Sequence, residues 1–130
     1  MKRLIMDLDN TITLTEDGDY KNAKPIASVI EKLKEYKAQG FEIIISSSRN
    51  MRTYEGNVGK INVNTLPIII DWLERHNVPY DEIYVGKPWC GHDGFYVDDR
   101  AIRPCEDVEV IGSQEGDDCC GGASGKVSEQ

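Results

Sequence analysis

The first apolar run, Leu4-Ile5-Met6, ends in two acids separated by one apolar residue, Asp7-Leu8-Asp9. Residues 2–8 read as a buried strand. Side chains alternate faces along a strand, so its end delivers Asp7 and Asp9 on one side and Leu8 on the other. Pro25 then occupies a place that a first helical turn tolerates, and Ile26, Val29, Ile30 and Leu33 recur at helical spacing. Gly40 follows where a left-handed residue ends a helix. Residues 41–46, β-branched and mostly apolar, predict a second strand that runs into Ser47-Ser48-Arg49-Asn50. Residues 49–64 show no periodicity. A second helix is predicted over 65–76, with Leu66, Ile69, Ile70 and Leu73 on one face and Pro67 in its first turn; Asn77 and Pro79 stop it. A third strand over 82–85 leads into Gly86-Lys87-Pro88, and a fourth over 94–97 leads into Asp98-Asp99-Arg100. A weak fifth is predicted over 108–111.

Strand, helix, strand, helix, strand implies parallel pairing through right-handed crossovers, hence an α/β fold with a doubly wound, mostly parallel sheet. Ligands of such sheets bind beyond the carboxyl ends of the strands. The polar clusters Asp7/Asp9, Ser47/Arg49, Lys87 and Asp98/Asp99 all fall there. Asp, Asn and Thr also open turns, so Asp7-Leu8-Asp9-Asn10-Thr11 alone does not separate a turn from an active site. The coincidence of four clusters does.

Composition narrows the chemistry. At 130 residues the chain is long enough for one core. We expect a domain over 1–111 and a tail over 112–130, small and polar, with too few apolar side chains to offset its ordering entropy. A net charge of −8 disfavours a nucleic-acid or anionic-membrane partner. Nothing reads as a signal peptide or a membrane span, so the expected location is cytoplasmic. Cys90, Cys105, Cys119 and Cys120 are then expected as reduced thiols, and the adjacent pair lacks zinc spacing.

Like charges brought together resist ionising unless a cation joins them. Oxygen-only ligands of high negative charge suit magnesium, with Asp7, Asp9, Asp98 and Asp99 as the candidate ligands. Lys87 and a serine hydroxyl would face phosphoryl oxygens. A carboxylate can also attack phosphorus, giving an aspartyl-phosphate, while a second acid moves the proton.

Taken in order, Asp7-Leu8-Asp9-Asn10-Thr11, a serine after the second strand, Lys87 of Gly-Lys-Pro and Asp98-Asp99 resemble the four motifs of the haloacid dehalogenase superfamily of phosphotransferases, over roughly residues 2–104. The stretches 47–57 and 86–91 are similar to a small bacterial branch associated with capsule polysaccharide biosynthesis. The resemblance implies Asp7 as nucleophile, Asp9 as general acid/base with its carbonyl on magnesium, and Thr11 steadying the nucleophile loop. It further implies Ser47, within a run of three serines, on the phosphoryl group, and Lys87 on the phosphorylated intermediate. Asp98 would ligate the metal, and Asp99 would hold it through water or orient Lys87. A response-regulator receiver also gathers acids and a lysine, but there the lysine comes last; here it precedes the final acids.

About fifteen residues separate Thr11 from the first helix, too few for a folded cap, so a capless or nearly capless enzyme is expected. The segment 49–64 is the candidate lid, because a long aperiodic loop is unusual in a compact domain unless functional. Ser48, Arg49, Asn50, Arg52, Tyr54, Asn57 and Lys60 are its candidate substrate contacts, with Trp89 as a stacking wall. His92 is expected to face solvent, His76 to meet terminal carbonyls, Trp72 to pack beside the second helix, and Arg100 and Arg103 to pair with acids. The expected activity is a magnesium-dependent phosphomonoesterase acting on a phosphorylated sugar or related small metabolite. The alternatives are a polynucleotide 3′-phosphatase and a non-catalytic binding or assembly module. Apolar surface left by a missing cap predicts self-association into a homo-oligomer.

Overall fold

The computed structural model describes residues 1–16 and 18–104. The chain divides into two units, Met1–His92 and Asp93–Gln130. The predicted fifth strand, Cys105, Cys119 and Cys120, and the 111/112 boundary with its tail lie outside the described residues.

The first unit is an α/β structure on a three-stranded parallel sheet. Strand β1 (Arg3–Asp7) pairs with β4 (Glu42–Ser47), which pairs with β5 (Glu82–Val85), in the order β1-β4-β5. The register sets Asp7 opposite Ser46 and Val85 opposite Ser47, so the three carboxyl ends finish side by side. Between β1 and the first helix the chain makes a short ribbon, β2 (Thr13–Leu14) antiparallel to β3 (Lys24–Pro25). The helices are α1 (Ala27–Ala38), α2 (Val58–Asn64) and α3 (Leu66–Arg75).

The apolar periodicity fixes what is buried. Val29, Ile30 and Leu33 of α1 and Ile69, Trp72 and Leu73 of α3 join Ile43 and Ile45 of β4 in one cluster, with Leu4, Met6, Ile83 and Val85 packed against it. These strand residues share one face of the sheet. On the opposite face Ile5 is 65% and Tyr84 55% exposed, and Arg3 pairs with Glu42 and Glu82 across the strands. Helix α1 ends as the glycine predicts. Gly40, at φ +96°, donates to the Lys37 carbonyl and Phe41 to that of Tyr36, and the Tyr36 and Phe41 rings meet edge to face at 4.9 Å.

Three expectations are corrected. Pro25 is not in a helix but pairs with Thr13 in the ribbon, and α1 starts two residues later, after Ile26 donates to the Ile12 carbonyl at 2.8 Å. A two-stranded ribbon is all edge, and edges accept proline. Residues 49–64 are not wholly irregular, because α2 closes them. Asn57 caps α2 by accepting the Lys60 N–H at 3.1 Å, but Ile61 is its one buried residue, so no apolar period advertises the helix. Among the described residues, 94–97 are not a strand. Phe95, Tyr96 and Val97 are exposed, and no partner strand supplies them with a ladder. No helix of the described residues is long and apolar enough to cross a membrane.

Asp81, which the sequence pattern does not single out, staples the sheet. Its carboxylate accepts from Lys37 at the end of α1 (2.7 and 2.9 Å) and from the Ile43 N–H (2.8 Å), while its own N–H meets the Ile43 carbonyl at 2.7 Å. The Lys37 bond, and after it the Ile43 N–H, holds the carboxyl below the usual range. A depressed carboxylate contributes stability that is present at neutral pH and lost as the pH falls through its folded-state value. Asp81→Asn should therefore cost about 1 kcal/mol at neutral pH, a fall in Tm of roughly 5 °C. The difference from wild type should shrink in acid; thermal melts across pH check both.

Candidate functional site

The site begins where β1 stops. The Leu8 carbonyl accepts the N–H groups of Thr11, Ile12 and Thr13 at 3.3, 2.9 and 3.2 Å, curling the chain so that Thr11 folds back on the strand end. Thr11 Oγ1 donates to Asp7 Oδ2 at 3.0 Å. Lys87, just past β5, lies with Nζ 3.4 Å from Asp7 Oδ1, and its N–H donates to the Ser47 carbonyl at 3.1 Å. Gly86 supplies the turn, with φ +87° and Val58 within 3.0 Å of where a Cβ would stand. Asp7 is thus held by one hydroxyl and one cation while its side chain stays 37% exposed.

Asp9 is held differently. Arg49 grips it as a fork, Nη2 to Oδ1 at 2.7 Å and Nε to Oδ2 at 3.0 Å, and the Thr15 and Thr13 hydroxyls donate to Oδ1 at 2.9 and 3.4 Å. The Arg49 side chain is only 1% exposed. A buried guanidinium is tolerated because the fork supplies geometry as well as charge. The Tyr20 ring covers it, 4.1 Å from the guanidinium carbon. Burial, then the Asp9 charge, pushes the Tyr20 phenol above its ordinary value, with Arg49 pulling the other way. Tyr20 is fixed from behind by α3: Trp72 Nε1 donates to the Ala23 carbonyl at 2.8 Å and Arg75 Nη2 to that of Lys21 at 2.7 Å.

Of the three serines, Ser46 is in register with Asp7, and Ser47 is buried with its Oγ accepting the Arg49 N–H at 3.0 Å. Ser48 lines a cavity of about 420 Å³ beside Asp9, together with Arg49, Asn50, Arg52 and Trp89 of the predicted contacts and with Asn10, which is not among them. Tyr54, Asn57 and Lys60 do not line it; Asn57 spends its side chain on the α2 cap. Thr13, Thr15 and Tyr20 are functional neighbours that sequence reasoning missed. A tyrosine in a polar loop carries no periodic signal, and only the ribbon brings it over Arg49. His92 is exposed, as expected, and also accepts from Arg52 Nη1 at 3.2 Å and meets the Trp89 ring edge to face at 5.0 Å. The His76 ring stacks on Trp72 at 4.3 Å.

Asp98 and Asp99 belong to the second unit. There the Arg100 N–H, 3.0 Å from Asp98 Oδ1, and after it the Asp99 side chain hold the Asp98 carboxyl below the usual range. No group of three or more His, Cys, Asp or Glu among the described residues is placed to hold a metal ion. Within the first unit the donors suit a hard cation in part. The half-exposed Asp7 carboxylate is available to one, whereas the Asp9 carboxylate is committed to Arg49 and leaves its main-chain carbonyl for that role.

Removing Arg49 takes the partner from Asp9 and empties a buried site. Arg49→Ala should cost about 3 kcal/mol in denaturant unfolding, and Arg49→Lys, which keeps the charge and loses the fork, should fall between it and wild type. Equal midpoints for all three would show the fork to be incidental.

No family model matches the sequence, and no curated protein is significantly similar to it. Two solved structures are. A chain of the Pnkp1/Rnl/Hen1 complex has a TM-score of 0.50 and 21% identity over 88% of this chain, which spans 34% of that one, a likeness of fold alone. The crystal structure of an MCSG target from Vibrio cholerae has a TM-score of 0.82 and 63% identity, covering 86% of this chain and 94% of that chain. At that identity and coverage, the chain belongs to one family with the Vibrio cholerae protein.

Proposed function

We propose that the chain is a phosphomonoesterase of the haloacid dehalogenase type, working through an aspartyl-phosphate with magnesium as its cofactor. The observation that carries this reading is the setting of Asp7: an accessible carboxylate at the carboxyl end of a parallel sheet, with the Thr11 hydroxyl on one oxygen and Lys87 on the other. The fold likeness to a chain of the Pnkp1/Rnl/Hen1 complex supports a core of that type.

Each residue then has a task. Asp7 attacks phosphorus; the bond to the leaving oxygen breaks, and Asp9 gives that oxygen a proton. Water next attacks phosphorus, its proton goes to Asp9, and the Asp7–phosphorus bond breaks to free phosphate and restore the carboxylate. Asp9 Oδ1 takes three donors, but Oδ2 takes Arg49 Nε alone among the described residues, so Oδ2 is the oxygen with room to carry the proton. Lys87 balances charge on the transferred group, and a hydroxyl of the 46–48 serine run hydrogen-bonds it. In the first unit Asp7 and the Asp9 carbonyl would hold magnesium, which would supply neutralisation of the carboxylates and of the phosphate dianion.

The substrate class is a phosphorylated sugar or related small metabolite. A 3′-phosphorylated polynucleotide is the second reading, compatible with the fold likeness but opposed by a net charge of −8. Hydrolysis of p-nitrophenyl phosphate should require magnesium and vanish with EDTA. Asp7→Asn should abolish it, and Asp9→Asn should lower kcat by roughly 10²–10⁴-fold. No turnover by wild type with magnesium, or undiminished turnover in Asp7→Asn, would make the chain a binding module instead.

A further inference from the structure

The cavity beside Asp9 holds more cationic donors than phosphoryl transfer uses. Its volume of about 420 Å³ exceeds what a phosphoryl group fills and lies in the range of small-ligand sites. Arg49 presents five N–H donors, and its fork to Asp9 employs only Nε and Nη2. Nη1 is buried with no hydrogen-bond partner among the described residues. An unmade bond of that kind costs on the order of 1–3 kcal/mol, so a protein that keeps one has a use for the donor.

Arg52 adds a second cation on the same wall. It is exposed, and no carboxylate of the described residues pairs with it. Its contacts are uncharged: Nη1 to His92 Nε2 at 3.2 Å, which must act as acceptor because a guanidinium only donates, and the Trp89 ring at 5.7 Å. His92 and Trp89 also touch each other, so the three side chains hold Arg52 in place before any ligand arrives. Trp89, partly exposed, also lines the cavity and offers it a flat apolar face.

We propose that this cavity is a subsite for a second anionic group on the phosphorylated ligand, a carboxylate or a second phosphate, with Arg52 and Arg49 as its donors and Trp89 against the carbon skeleton. Arg52 is ready as it stands. Arg49 Nη1, buried without a partner among the described residues, is the further donor. The inference deepens the phosphatase reading and rests on it for the phosphoryl end of the ligand.

Calorimetric titration separates the two. In the full chain carrying Asp7→Asn, with magnesium, 6-phosphogluconate and fructose 1,6-bisphosphate should each bind roughly tenfold or more tightly than glucose 6-phosphate. Whichever binds better identifies the carboxylate or the phosphate as the preferred anion. Adding Arg52→Gln, a change at an exposed position, should bring the ratio close to one. Equal binding of all three, an advantage that survives Arg52→Gln, or no binding of any overturns the subsite. A preference that Arg52→Gln removes, in a wild-type protein that hydrolyses no phosphate ester, upholds the subsite and overturns the phosphatase instead.

Discussion

The arrangement around the strand ends depends on one buried cation. A guanidinium taken out of water needs an anion at close range with matched geometry, and Arg49 finds it in Asp9 across forty residues of chain. That demand ties three segments together. The turn after β1 must carry Asp9 inward, the turn after β4 must carry Arg49 to meet it, and the loop between β2 and β3 must lay Tyr20 over the pair. The indole of Trp72 and the guanidinium of Arg75, reaching back from α3, hold that loop by its carbonyls. The hydrophobic helix and the polar site are therefore one construction.

The two acids, alike in sequence, end in opposite circumstances. Asp7 meets a partly buried lysine at 3.4 Å and a single hydroxyl. Asp9 is locked by four donors. Under the proposed reading, a nucleophile must be free to approach phosphorus, whereas a group that hands over a proton gains from being fixed relative to the leaving oxygen. Environment, not residue type, would then divide the labour.

The parts of this that were legible in the sequence are those written in short-range patterns. The first apolar run forms β1, which ends at Asp7, the glycine at 40 closed α1, and β5 has the predicted bounds of 82–85; Asp9 lies past the end of β1, where alternation no longer places it. What escaped depends on contacts between distant segments. Pro25 sits in a ribbon because Thr13 and Leu14 are there to pair with it. The helix α2 buries only Ile61, so its cap at Asn57 is its main local signature. The run 94–97 has strand composition, yet composition cannot supply a neighbouring ladder. Tyr20 and Asp81 act through partners far along the chain, and nothing adjacent to either marks them.

Fold alone would not assign chemistry here. A parallel sheet with a site at its carboxyl ends hosts many reactions, and a likeness at 21% identity speaks only to the sheet. The discriminating evidence is the inventory of charges at the strand ends. In a chain of net charge −8, three cations, Lys87, Arg49 and Arg52, gather beside two carboxylates in the first unit. Lys87 and Arg49 each answer one acid, which leaves Arg52 in excess. An acidic protein that gathers positive charge in a cleft lowers the barrier for anions to enter there. Under the proposed reading, selectivity for a phosphorylated ligand would arise from the cleft's local potential, against a global charge that disfavours polyanions.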